Sequence, residues 1–162
     1  AQITLSINPF IPKPFTPFQW LPMADEKWVK DAMKTIRKGL APYRSIRIIA
    51  ESPKSASVQG VLARGDRRVA RALHRAFLAG GAKSFKRALK EEGLSLADFL
   101  QVRHAEDAVF PWDVLDMGFP KQYLYRELQR AAALQYTKPC FSGCTRCGVC
   151  DTMEERHVSA QT

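Results

Sequence analysis

Apolar and polar residues alternate over Ile3–Ile7, with Ile3, Leu5 and Ile7 set against Thr4 and Ser6. A period of two predicts a strand with one buried face. NPFIPKPFTPFQWLP follows, with prolines at 9, 12, 14, 17 and 22. Proline lacks an amide donor and restricts its predecessor, so neither a helix nor a central strand runs through it. Its aromatic and aliphatic residues (Phe10, Ile11, Phe15, Phe18 and Trp20) are too apolar for a flexible linker, which predicts an ordered extended loop. Asp25 is placed to cap a helix ending near Lys38, with Trp28, Met33 and Ile36 inward and Gly39 as terminator. Ser45–Ala50 reads as a second short strand, closing a β–α–β unit. Ser52-Pro53 then starts a helix, serine as N-cap and proline in the first turn.

Beyond this point the pattern is helical: 54–64, 66–79, 84–92, 95–104 and 119–134, separated at Gly65, Gly80-Gly81, Gly93 and Gly118. Phe110-Pro111-Trp112-Asp113 reads as a turn with an aromatic anchor, Asp113 capping it. The expected class is α/β, predominantly helical. Residues 1–52 hold both strands, 53–137 a helical subdomain and 138–150 a cysteine-rich motif, with 151–162 a polar, frayed tail. A sheet of only two strands reads as a larger sheet cut open.

All four cysteines fall within eleven residues, Cys140, Cys144, Cys147 and Cys150, in the run CFSGCTRCGVC. The spacing is C-x3-C-x2-C-x2-C. Loops this short let successive thiolates turn inward on one inorganic centre. A 4Fe–4S cube suits the run because its corners are spread more widely than the ligands of one ion. Zinc is the alternative, although four-thiolate zinc sites usually arise from two separate C-x2-C pairs. A closed shell of four thiolates favours structure or electron transfer over substrate activation. Lys138 and Arg146 offer positive charge nearby.

The net charge of +9 is concentrated between Val61 and Lys90, where nine Lys or Arg face one acid, Asp66. On a continuous helix Arg64, Arg67, Arg68, Arg71 and Arg75 share an arc of about 100°, with Leu62, Val69, Leu73 and Phe77 opposite. Such a face suits nucleic-acid phosphates, an acidic partner or solvent; Gly65-Asp66 is the point where it would break. His74 and His104 read as structural rather than catalytic; Asp113 and Asp116 could form an acid pair, against the reading of Asp113 as the N-cap of a short turn.

Hydrophobic content of 46% and charged content of 25% are ordinary for a globular domain, or part of one. No apolar run approaches the ~20 residues of a membrane span, and no charged-then-apolar leader is visible. The cysteines are not spread as in a secreted disulfide scaffold. These features set the expectation of a cytoplasmic protein with no membrane partner.

Four stretches taken together, NPFIPKPFTPFQW, VLARGDRRVARAL, FPWDVLDMGF and CTRCGVC, resemble the C-terminal region of uncharacterised radical SAM proteins, a group often carrying a cobalamin-binding-like domain. The resemblance extends to about Asp151. It implies that residues 1–52 end a (β/α) barrel and that the proline-rich loop borders its mouth. Lys13, Phe15 and Trp20 would then lie near the opening, Lys13 positioned for a carboxylate or phosphate. Further implied are a partner in the upstream barrel of the same polypeptide, S-adenosylmethionine as cofactor of the parent enzyme, and cobalamin in an upstream domain. The parent reaction is reductive cleavage of S-adenosylmethionine, yielding a radical that abstracts hydrogen from substrate. The SAM-cleaving cluster itself is expected upstream: although Cys140, Cys144 and Cys147 match its C-x3-C-x2-C spacing, they lack the barrel that follows it. Their expected role is an auxiliary cluster or a structural metal, so this part alone is not expected to be catalytically competent.

Overall fold

A computed structural model describes residues 1–149; Cys150 and the polar tail lie outside the described residues. The chain forms two compact units. The first comprises Ala1–Lys13 and Leu21–His104, the second Pro14–Trp20 and the chain from Ala105 onward. The proline-rich segment is therefore divided between them. Six α-helices and one two-stranded sheet are present among the described residues.

In the first unit β1 (Ile3–Ile7) pairs in parallel with β2 (Ile46–Ala50), Ile3 opposite Ile46 and Leu5 opposite Ile48. The β–α–β reading holds. None of the strand residues is buried, and Ile3 and Ile49 are each half exposed. Parallel sheets ordinarily have both faces covered. Between the strands lies α1 (Glu26–Leu40), where Asp25 caps as expected and accepts from the amides of Lys27 (2.8 Å) and Trp28 (3.2 Å). Gly39 does not end α1. The helix runs on to Leu40, capped by Ala41 directly before Pro42, whose ring cannot continue it. Nor do Trp28 and Ile36 turn inward. Both are exposed, and the helix buries Val29 with Met33 half-buried one turn on, a stripe offset by one residue.

Helix α2 (Pro53–Arg64) starts at the expected proline, but the Ser52 hydroxyl makes no cap bond. α2 stops at Gly65, and α3 (Val69–Leu78) begins four residues later. The break read at Gly65 is present, so the arginines do not share one continuous helix: Arg64 ends α2, Arg71 and Arg75 lie on α3, and Arg67 and Arg68 precede it. The turn between the two helices is built for glycine, since a Cβ on Gly65 would lie 2.5 Å from a Val69 methyl and 2.6 Å from the Val61 carbonyl. In α3 the buried residues are Val69, Ala72 and Ala76, while Leu73 and Phe77 face outward. Small side chains fill this face because α3 packs directly on α4 (Phe85–Glu91), which buries Phe85, Ala88 and Leu89.

The helix expected over 95–104 shortens to α5 (Ala97–Leu100). Ser95 and Asp98 cap its start reciprocally: the Ser95 amide donates to the Asp98 carboxylate and the Asp98 amide to the Ser95 hydroxyl. Its end is set by competition for carbonyls. Leu100 accepts from the Met23 amide at 2.7 Å, and Phe99 and Val102 accept from Arg64. The core joins these elements through Met23, Val61, Val69, Phe85, Leu89 and Leu100.

The second unit is organised on aromatic rings. Trp20, 1% exposed, meets Phe110 and Tyr125 edge-on at centroid distances of 5.6 and 5.1 Å. Phe110 stacks on Trp112 at 4.8 Å. Buried Gln19 ties the cluster together, its Oε1 accepting from Trp112 Nε1 (2.8 Å) and the Phe15 amide (3.1 Å). Asp113 closes the expected turn backward, accepting from the Phe110 amide and pairing with Lys121. Helix α6 (Lys121–Ala132) carries Leu124 and Leu128 into this core. No helix among the described residues is long and apolar enough to cross a membrane.

Candidate metal centre and arginine face

Downstream of α6 the chain reaches Cys140, exposed; Cys144, 4% exposed; and Cys147, half-buried. All three are free thiols. The Cys144 amide donates to the Phe141 carbonyl at 3.1 Å, closing a turn that contains Gly143. Gly143 and Gly148 both lie at φ +78, a left-handed conformation that glycine alone adopts without strain. The two reversals flank Cys144 and Cys147, which is what a run of thiols needs in order to bend rather than extend.

Arg146 is the cationic partner. Its Nε donates to the Cys144 sulfur at 3.2 Å and its terminal nitrogen to the Pro139 carbonyl at 2.9 Å. The guanidinium also lies 6.0 Å from the centre of the Phe141 ring. The Arg146 hydrogen bond, aided by backbone donors, lowers the Cys144 thiol below its ordinary pKa. Tyr123 on α6 is pushed up, first by burial, then by the charge of Glu127 and of Cys147, with Cys140 adding to it.

The chemistry of this donor set fits a soft cation or an iron–sulfur cluster: reduced thiols at short spacing, one biased toward thiolate, with an arginine offsetting charge. Among the described residues, however, no group of three or more His, Cys, Asp or Glu side chains is gathered closely enough to hold an ion. Cys150, the fourth expected ligand, lies outside the described residues.

The five arginines divide by role. Arg64 is buried and serves the fold, its Nε donating to the Phe99 carbonyl (2.7 Å) and its terminal nitrogens to Leu21 (2.7 Å) and Val102 (3.0 Å). It is thereby removed from the expected phosphate-facing set. Burial lowers its pKa, though three carbonyl acceptors suit the cation. Arg68 forks onto Asp66 and lies 5.5 Å from the Phe99 ring centre, and Arg75 pairs with Glu92. Arg67 and Arg71 are exposed.

Of the residues assigned to a barrel mouth, Lys13 is exposed in the first unit, whereas Phe15 and Trp20 belong to the second. Trp20 is a core anchor, its Nε1 donating to the Glu106 carbonyl at 3.3 Å, and it offers no open face for a ligand. Phe15 takes a left-handed backbone, φ 56, held by its bond to Gln19. Gln19 and Tyr123 carry no signal in sequence; the glycines beside Cys144 and Cys147 do.

Comparison of the chain with protein-family models, with curated proteins and with solved structures finds no match.

Proposed function

We propose that this chain is the C-terminal part of a radical SAM iron–sulfur enzyme and holds an auxiliary cluster or a structural metal on Cys140, Cys144, Cys147 and Cys150. The observation that carries the reading is the cysteine run itself, four thiols at C-x3-C-x2-C-x2-C spacing, with Arg146 bonded to Cys144 and left-handed glycines at the bends. A bound cluster supplies electron transfer or pins the C-terminal segment. Arg146 offsets thiolate charge at Cys144, and the reversals at Gly143 and Gly148 orient the loop. Support for a barrel partner comes from the parallel pair β1–β2, whose residues are all at least partly exposed and whose faces further strands and helices would cover.

Anaerobic reconstitution with iron and sulfide tests the centre. A brown protein with absorbance near ~400 nm and about four irons per chain supports the cluster. One tightly held colourless zinc supports the structural-metal form. Retention of neither metal, with Cys140, Cys144, Cys147 and Cys150 alkylated as free thiols, overturns the proposal. Co-expression with an upstream barrel of the resembled family tests the partner: a stable complex that protects β1 and β2 amides from exchange is the supporting result.

The second reading, a zinc-knuckle module gripping nucleic acid, rests on exposed Arg67 and Arg71. Salt-sensitive RNA binding lost on Arg67→Ala with Arg71→Ala supports it, and indifference to salt removes it.

A further inference from the structure

Two cavities of the first unit, about 470 and 730 Å3, share Glu26, Ser57, Lys86 and Leu96 in their linings and form one cleft. The larger is lined by Lys54 of α2, Lys83 of the 3-10 turn before α4, and Lys86 of α4. The smaller adds Lys90, one helical turn along from Lys86. Among the described residues none of these four lysines has an ion-pair or hydrogen-bond partner.

Two carboxylates, Asp25 and Glu26, also line the cleft, and they and the acids of α4 already have partners. Glu26 pairs with Lys30, Asp25 caps α1, Glu91 pairs with Arg87 and Glu92 with Arg75. Lys86 and Lys90 stand four residues apart, a like-charge spacing that disfavours the helix. The larger cavity sets three lysines against one carboxylate, Glu26, and this excess focuses positive potential inside it. The hydroxyls of Ser52 and Ser55 line the larger cavity as neutral donors, and Val58 and Leu96 give it an apolar wall. Its size falls in the range of small-molecule sites, ~300–1,000 Å3.

We propose that this cleft binds a small phosphorylated molecule bearing an apolar or aromatic group, an anion of nucleotide size. Lys54, Lys83 and Lys86 hold its phosphates, and Val58 and Leu96 pack against its apolar part. Lysines act on phosphate as mobile point charges, so several converging from different elements suit a chain of phosphates. The proposal is independent of the cysteine motif, which lies in the other unit.

Isothermal titration of the full 162-residue chain with ADP, inorganic pyrophosphate and adenosine tests it. The expected result is saturable one-to-one binding of ADP, with pyrophosphate weaker and adenosine at least about tenfold weaker. Lys54→Gln with Lys86→Gln is expected to weaken ADP at least about tenfold, whereas Arg67→Gln with Arg71→Gln, the same charge change outside the cleft, changes it less than about twofold. Circular dichroism confirms that each variant is folded, and Lys83→Gln alone serves as the milder lysine variant. Failure of ADP to saturate by about 1 mM overturns the proposal. Equal weakening by the two double variants also overturns it, because that outcome means delocalised charge. So does RNA binding that ADP does not compete, and pyrophosphate binding as tight as ADP removes the apolar contact.

Discussion

Arg64 Nε donates to the Phe99 carbonyl over 2.7 Å, and this bond joins the last residue of α2 to the short helix α5, thirty-five positions away. With its further bonds to Leu21 and Val102, the guanidinium ties together two backbone segments, Leu21 and Phe99–Val102. Truncating it leaves buried carbonyls without donors, which is the expensive way to lose a hydrogen bond. Arg64→Ala is expected to destabilise the first unit by about 3 kcal/mol. Arg64→Lys, with one point charge for a fork, recovers only part of this. Urea unfolding followed by far-ultraviolet circular dichroism measures both.

Gln19 plays the corresponding role in the second unit. Its single carbonyl oxygen receives both Trp112 Nε1 and the Phe15 amide in a 2%-exposed position. Gln19→Leu keeps the volume and removes the acceptor. The expected cost is about 2 kcal/mol, accompanied by altered tryptophan fluorescence, since Trp112 loses its partner and Phe15 loses the bond that holds its left-handed backbone.

Gly143 and Gly148 permit a test of the proposed metal centre that leaves every cysteine in place. Each holds φ +78, where an L side chain is strained by about 1–2 kcal/mol. A Cβ at either site has open space, so strain and not collision is the effect. In protein reconstituted with the proposed cluster or metal, Gly143→Ala and Gly148→Ala are expected to speed its loss to a chelator several-fold, with all four cysteines intact. Alanine at exposed Gly39 inside α1 is the control and leaves metal retention unchanged.

Asp66 supplies a pH signature. Its hydrogen bond from Arg68 holds the carboxyl below the usual carboxylate range, with the Arg68 amide and nearby Arg67 acting in the same direction and burial opposing. A carboxyl depressed in the folded state stabilises above its unfolded pKa and loses that contribution as pH falls through the lower folded value. The stability difference between the parent chain and Asp66→Asn is therefore expected to be flat above about pH 5 and to be lost as pH falls below the ordinary carboxylate range. Thermal unfolding across this range reads it, and a difference that grows toward acid contradicts the assignment.

Local chemistry was legible in the residues themselves. The alternation at Ile3–Ile7, the cap at Asp25, the proline opening α2 and the glycine closing it each act through neighbours a few positions away, so each could be read before any packing was known. The cysteine spacing belongs to the same class, because the turns that bend it lie within it. What packing alone decided was direction. α3 buries Ala72 and Ala76 because α4 comes close, leaving Leu73 and Phe77 outside despite their greater hydrophobicity. Trp28 stays exposed because the inward stripe runs through Val29 and Met33. Arg64 reads as one more cation of a basic face, yet Phe99, Leu21 and Val102 draw it inside, and no local rule foretells which carbonyls a distant guanidinium will find. Three cleft lysines, Lys83, Lys86 and Lys90, stand close together in the sequence, but only the fold brings Lys54 of α2 to the same space.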